Sequence, residues 1–93
     1  MIRSFKCKDT QRIWQGEATR KFPSDILDRA LRKLRQLEGA ETKEDLRNPP
    51  GNRLEVLKGN RDGQMSIRVN DQWRICFRWV DGDAWDVEIV DYH

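Results

Sequence analysis

The chain has few of the residues on which disulfide-stabilised, metal-binding or membrane-spanning proteins depend. It contains two cysteines, Cys7 and Cys76, and one histidine. Two cysteines are too few for a disulfide framework, and they lack the paired Cys/His spacing of a zinc site. No apolar run approaches the roughly 20 residues that span a membrane, and the opening residues lack the apolar stretch of a secretory signal. We therefore expect a cytoplasmic protein that has no membrane contact, no metal and no cofactor, with residues 1–93 forming one domain.

Charge is distributed unevenly, although the formal net charge is only +2. Residues 1–35 carry ten Lys and Arg against four Asp and Glu, whereas residues 79–93 hold five acids and neither Lys nor Arg. Clustered basic surfaces bind phosphate backbones. Ordinary solvated helix faces have the same composition, so charge alone does not separate a nucleic-acid-binding protein from other charged domains.

The first half of the chain has the apolar spacing of helices. Residues 2–5 are typical of a short strand, and residues 8–17 of a short helix. A longer helix is predicted from the Pro23-Ser24 cap to Gly39, because apolar residues recur there at intervals of three and four. Its other side is a candidate docking surface carrying Arg29, Arg32, Lys33 and Arg35.

From Arg53 onward the apolar residues alternate with polar ones, which predicts strands. Proline and glycine in residues 48–52 mark the change from helices to sheet. The chain is therefore predicted to have an α+β fold: an antiparallel meander of four strands, plus the N-terminal strand, with two to three helices packed on one face. The four tryptophans are predicted to face the core: Trp14, Trp73, Trp79 and Trp85.

Matching the apolar faces of neighbouring strands predicts their register, because a slip of one residue exchanges the faces. The predicted pairs are Ile67 with Ile75, Arg68 with Arg74, Arg78 with Asp86, Val80 with Ala84, and Leu54 with Val69. The last pair places Glu55 opposite Arg68. Continuing the ladder brings Tyr92 beside Gln72.

This register collects Glu55, Arg68, Arg74 and the C-terminal tail on the polar face of the sheet. Two arginines directly opposite each other repel, which indicates an anionic ligand such as a phosphate held bidentately. A structural network of salt bridges through Glu55 and Asp91 is the competing interpretation. The glycine-containing loop of residues 58–63 adds Lys58 and Arg61 beside this face, and its glycines suit either a tight turn or close phosphate approach.

Residues 54–64, residues 66–75 and the terminal Asp91-Tyr92-His93 resemble the HigB toxins of the RelE superfamily. The resemblance covers essentially the whole chain and implies a RelE-like fold. It also implies a ribosome-dependent endonuclease that cleaves mRNA in the ribosomal A site without a metal. In that chemistry a ribose 2′-OH attacks the adjacent phosphate. The implied partner is a HigA-type helix-turn-helix antitoxin, through which the complex contacts operator DNA.

The resemblance also implies roles for individual residues. Arg68 and Arg74 would bind the phosphate, and Lys58 and Arg61 would hold the RNA backbone. Proton transfer and base stacking would fall to Asp91, Tyr92 and His93, and imidazole titrates near neutral pH. Some HigB members have a histidine where this chain has Glu55, which could act as a base or as a salt-bridge partner of Arg68. A contact with 16S rRNA is expected for Arg29, Arg32 and Lys33.

Two other functions fit the same residues. One is a non-catalytic module that binds RNA or a partner, for which the tail would be dispensable. The other is a non-toxic member of the family that serves mainly as antitoxin partner and co-repressor. Growth arrest on expression, relieved by a helix-turn-helix partner, would favour the toxin.

Overall fold

The computed structural model describes residues 1–91, so the predictions for Tyr92 and His93 lie outside the described residues. Four antiparallel strands form one sheet in the order β1-β2-β3-β4, and three α-helices accompany it. This confirms the predicted α+β fold. The helices are α1 (Lys8–Trp14), α2 (Ser24–Gly39) and α3 (Lys43–Leu46), and the strands are β1 (Glu55–Val56), β2 (Met65–Arg68), β3 (Trp73–Val80) and β4 (Asp83–Asp91). Single 3₁₀ turns lie at Pro50–Asn52 and Gly59–Arg61.

Helix α2 covers the apolar face of the sheet. Its buried residues are Ile26, Ala30, Leu34 and Leu37. They share one core with side chains from three strands, among them Ile67, Ile75, Phe77 and Val87. The predicted Leu stripe is therefore confirmed, although no side chain caps the helix at Pro23 or Ser24. Among residues 1–91, no helix combines the length and apolarity needed to cross a membrane.

The N-terminal segment is not a continuous strand, which corrects the prediction for residues 2–5. It makes two isolated parallel bridges to β4, Ile2 with Ala84 and Phe5 with Val87. Between these bridges, the Asp86 amide donates to the hydroxyl of Ser4 at 2.8 Å. An extra residue in β4 at this point interrupts the ladder, so the segment follows the edge of the sheet without joining it continuously.

The β3–β4 hairpin also differs from the predicted register at its tip. Val80 pairs with Asp83, not Ala84, across a two-residue turn in which Asp81 and Gly82 both have positive φ. Such a turn matches the twist of antiparallel strands. Asp86, with φ of 53°, is the extra residue of a bulge that restores the predicted register further along, where Arg74 pairs with Val90.

The bulge changes which side chains of β4 face the core. Trp85 was predicted to be buried, but it is 41% exposed and lies opposite Arg78 on the outer face. The other three tryptophans pack partly buried against the core. Because Arg78 lies opposite Trp85, the predicted register pair of Arg78 with Asp86 is wrong, but the two side chains still form an ion pair, with 3.6 Å between guanidinium and carboxylate.

Strand β1 pairs two residues away from its predicted position. Glu55 lies opposite Ser66 and Val56 opposite Met65, so the predicted pairs of Leu54 with Val69 and Glu55 with Arg68 are wrong. A shift of two keeps the faces, and Glu55 therefore stays on the outer face of the sheet. Val56, on the inner side of this edge, is 68% exposed.

Candidate active site

Arg68 and Arg74 lie directly opposite each other on β2 and β3, as predicted. Arg74 is only 7% exposed. Its Nε donates to the Ser66 hydroxyl at 2.8 Å, and its Nη2 donates to the carbonyl oxygens of Arg53 at 2.5 Å and Ser66 at 3.3 Å. These bonds fix the plane of the guanidinium, so Arg74 is a rigid buried charge beside the more exposed Arg68.

Glu55 approaches Arg74, not Arg68. Its carboxylate lies 3.9 Å from Nη1 of Arg74, and its side chain is half exposed. This contact follows from the corrected register of β1, which places Glu55 opposite Ser66, the residue that also binds Arg74. A carboxylate that is both held and open to solvent can accept a proton from a bound group.

Arg68 forms an ion pair with Asp71, whose side chain is almost fully exposed. Asp71 belongs to the turn between β2 and β3. Asn70 shapes that turn by accepting the amides of Gln72 at 2.9 Å and Trp73 at 2.8 Å. Arg68 is thus held by a solvent-exposed carboxylate at the end of the sheet.

A cavity of about 380 Å³ lies between α2 and the end of β2. It brings together two groups of predicted site residues that are far apart in sequence. Its lining consists of Arg29, Arg32, Lys33, Gln36, Pro49, Gly51, Arg68 and Val69. Four of these residues are cations. We call this cavity the α2–β2 pocket.

The cations of the α2–β2 pocket influence one another. The pKa of Lys33 is lowered, first by partial burial of its ammonium group and then by repulsion from Arg32, Arg29 and Arg68. Like charges at this density disfavour the protonated form. An anion in the pocket would have the opposite effect and would raise the pKa of Lys33.

Asn52, which sequence reasoning missed, holds one wall of this pocket. It is fully buried. Its Oδ1 accepts from Lys33 Nζ at 2.5 Å, and its Nδ2 donates to Gln36 Oε1 at 3.0 Å and to the Leu46 carbonyl at 3.2 Å. The loop before β1 is thereby fastened to α2. The turn composition of residues 48–52 signals a break in the chain but not this buried amide.

We expect Asn52→Ala to lower the free energy of unfolding by about 1–3 kcal/mol, because the Leu46 carbonyl and the Gln36 amide lose a buried partner. For a domain of this size, each kcal/mol corresponds to a fall in Tm of roughly 4–8 °C. Thermal unfolding followed by circular dichroism measures the change. Asn60→Ala is the control, since Asn60 is exposed. Equal Tm values for the two variants would contradict the structural role of Asn52.

The two predicted RNA contacts of residues 58–63 have different surroundings. Lys58 is exposed. Arg61 donates to Glu88 at 2.8 Å and to Gln64 at 3.2 Å, so it ties its loop across the outer face of the sheet. The loop buries Cys76, and this burial raises the pKa of the Cys76 thiol. The outer face is therefore covered at its centre and open at the end where Arg68 lies.

Asp91 completes the described part of the site. It ends β4 opposite Trp73, and its Oδ2 accepts from Gln72 Nε2 at 3.0 Å. The end of β4 thus lies beside the turn that carries Asp71. The structure brings Asp91 to the same end of the sheet as Arg68.

The fold is shared with a known solved structure. The YoeB–YefM complex from Staphylococcus aureus matches with a TM-score of 0.58, and the match covers 100% of this chain and 95% of that one. The sequences are 16% identical, so this likeness concerns the fold alone.

Sequence comparisons define the class and then the family. Residues 3–93 match the family described as RelE-like toxin of type II toxin-antitoxin system HigB. Toxin HigB-1 of Vibrio cholerae serotype O1 is 46% identical over 85 residues, which is 90% of each chain. Endoribonuclease HigB of Proteus vulgaris is 36% identical over 93 residues, the full length of both. The protein is therefore a RelE-like toxin of a type II toxin–antitoxin system. Within that class the chain belongs to the HigB family, which confirms the resemblance seen in its sequence.

Proposed function

We propose that this protein is a ribosome-dependent endoribonuclease that cleaves mRNA by attack of a ribose 2′-OH on the adjacent phosphate, without a metal ion. The name of the Proteus vulgaris relative supports a ribonuclease activity. The observation that carries the proposal is the pair of arginines directly opposite each other on β2 and β3, bordered by Glu55 and by the end of β4. Such a pair suits a ligand with several negative oxygens.

The reaction needs a base for the 2′-OH proton, cations for the charge on the phosphorane, and an acid for the leaving 5′-oxygen. Arg68 is the more exposed of the paired arginines and contacts the phosphate directly in this proposal. Arg74 lies beside it in a fixed orientation and supplies positive charge without reorganising. Preorganised charges of this kind are typically worth about 3–4 kcal/mol in transition-state stabilisation.

Proton transfer is assigned to Glu55 and to the tail residues Asp91, Tyr92 and His93. Each positioned acid or base contributes typically about 10²–10⁴-fold. Glu55 is half exposed and its carboxylate lies 3.9 Å from Arg74, so it stands beside the proposed phosphate site. Lys58 extends the positive surface along the RNA backbone.

We expect Glu55→Gln to lower single-turnover cleavage of ribosome-bound mRNA by about 10²-fold or more, because the amide cannot accept the 2′-OH proton. Glu17→Gln, at an exposed position far from the site in sequence, is the matched control. Cleavage at the wild-type rate by a folded Glu55→Gln protein would remove Glu55 as the base.

The proposed partners follow from the family. A HigA-type helix-turn-helix antitoxin would neutralise the toxin, and the complex would contact operator DNA through the antitoxin. The free toxin would act in the cytoplasm, where its substrate is mRNA in the ribosomal A site. A 16S rRNA contact through the basic face of α2 is compatible with the exposure of Arg29 and Arg32.

The test of the proposal is to map mRNA 5′ ends in translating ribosome complexes with wild-type protein and with His93→Ala. We expect new 5′ ends only when ribosomes are present, and their loss in the variant without a fall in Tm. Cleavage of naked mRNA at the same sites would contradict ribosome dependence. No cleavage by the folded wild-type protein would favour a non-catalytic antitoxin partner.

A further inference from the structure

The α2–β2 pocket concentrates positive charge, of which only that of Arg68 is paired with a carboxylate, Asp71, among the described residues. Arg29 lies one helix turn before both Arg32 and Lys33, a spacing at which like charges destabilise a helix. Among residues 1–91, none of these three side chains forms an ion pair. Arg68 enters the same cavity from β2. Four cations lining one cavity favour an anionic occupant.

The chemistry of the lining suits binding and not cleavage. No carboxylate, hydroxyl or thiol belongs to the described residues that line the pocket. Glu55, the proposed base, extends from the outer face, whereas α2 packs on the inner face. Strand β1 pairs with β2 only at Met65 and Ser66. The edge of β2 at Arg68 therefore has no neighbouring strand, and Arg68 reaches the pocket around this edge.

The size and rigidity of the α2–β2 pocket limit the class of ligand that it can bind. The volume of about 380 Å³ falls within the range of about 300–1,000 Å³ that is typical of small-molecule sites, so the pocket admits a nucleotide-sized group. Asn52 holds Lys33 through a hydrogen bond of 2.5 Å, and the backbone of Gly51 forms part of the wall without a side chain. Lys33 is therefore positioned before a ligand arrives.

We propose that the α2–β2 pocket binds a phosphodiester of the substrate RNA next to the scissile one, and that Asp71 occupies Arg68 until that phosphate displaces it. This inference rests on the proposed function for the identity of the RNA strand. Arg68 is then shared between two successive phosphates, one on each side of the open edge of β2. Exposed ion pairs such as Arg68 with Asp71 are weak, so a phosphate held by three further cations replaces the carboxylate readily.

The test measures binding of a trinucleotide RNA whose 2′-hydroxyls are all methylated, so that cleavage is blocked. Isothermal titration gives Kd at several salt concentrations for the wild type and for Arg29→Ala/Arg32→Ala. We expect about tenfold weaker binding in the double variant and a slope of log K against log salt that is smaller by up to about 0.7, the counterion release expected for one phosphate of a single strand. Arg35→Ala is the matched control, because Arg35 lies on α2 outside the pocket.

Asp71→Asn tests the displacement. We expect tighter trinucleotide binding, by about threefold, because Arg68 no longer has an internal anion to release. Equal affinities for the wild type and Asp71→Asn would overturn the displacement. A double variant that binds like Arg35→Ala would overturn the pocket itself.

Two further measurements distinguish RNA from free phosphate as the ligand, and this proposal from the proposed function. Inorganic phosphate that binds as tightly as the trinucleotide would identify a free-anion site and overturn the assignment to RNA. On ribosomes, we expect the double variant to need more toxin for half-maximal cleavage while the saturated rate changes little. Wild-type protein that binds the trinucleotide but never cleaves would contradict the proposed function and leave the pocket standing.

Discussion

Arg68→Ala is expected to lower single-turnover cleavage of ribosome-bound mRNA by about 10²–10³-fold, the usual cost of removing one preorganised donor to a transition-state oxyanion. Arg68 is the partly exposed member of the paired arginines, and it lines the α2–β2 pocket as well. The substitution removes both contacts. Its effect on stability should be small, because the side chain lies at the surface and its ion pair with Asp71 is exposed.

The measurement is a single-turnover time course at saturating toxin, with Tm recorded for each protein. Arg68→Lys keeps the charge but loses the planar fork that binds two phosphate oxygens, and it should recover only part of the activity. Arg20→Ala, at an exposed position outside the site and the basic face of α2, controls for the loss of one positive charge from the protein. Cleavage by Arg68→Ala within a few-fold of the wild-type rate would show that Arg68 does not contact the reacting phosphate.

The register of β2 and β3 could be predicted because apolar residues alternate without interruption on both strands. Ile67 and Ile75 must share the core face, and this requirement places Arg68 opposite Arg74. The hairpin between β3 and β4 shows where the same reasoning fails. Its tip is one residue shorter than predicted, and the bulge at Asp86 compensates. Ser4, 82 residues away, binds the bulge, so no local pattern could reveal it.

The sequence indicated which residues belong to the candidate site better than it indicated how those residues are arranged. Alternation identifies the outer face of the sheet, but it does not show that the loop of residues 58–63 covers the centre of that face. Arg61 of this loop bonds Glu88, which lies opposite the fully buried Cys76. The α2–β2 pocket escaped prediction for a related reason. Helix α2 and strand β2 meet only in the folded protein, so the basic helix face and Arg68 were assigned to different ligands.

Arg74→Ala is expected to reduce both stability and cleavage. Arg74 donates to the Ser66 hydroxyl and to the carbonyl oxygens of Ser66 and Arg53, and it is almost fully buried. In the variant these three acceptors lose the donor that the guanidinium provides, and the packing of the aliphatic part of the Arg74 side chain is lost as well. We expect the free energy of unfolding to fall by about 2–5 kcal/mol, a large part of the roughly 5–15 kcal/mol that stabilises a small domain.

Cleavage should fall in Arg74→Ala even at temperatures where the variant is folded, because Glu55 loses the charge that holds it and the phosphate loses the field beside Arg68. Arg74→Lys separates these effects: it restores the charge but cannot make the same three hydrogen bonds, so it should remain destabilised by about 1–3 kcal/mol.

Arg53→Ala is the control, since Arg74 uses only the carbonyl oxygen of Arg53 and the Arg53 residue is exposed. Urea unfolding and single-turnover cleavage would be measured on the same preparations. A stable Arg74→Ala protein would show that the hydrogen bonds of Arg74 contribute little to folding. A destabilised variant that still cleaves at the wild-type rate would show that Arg74 only stabilises the fold. Arg68 would then be the arginine of the pair that acts on the phosphate.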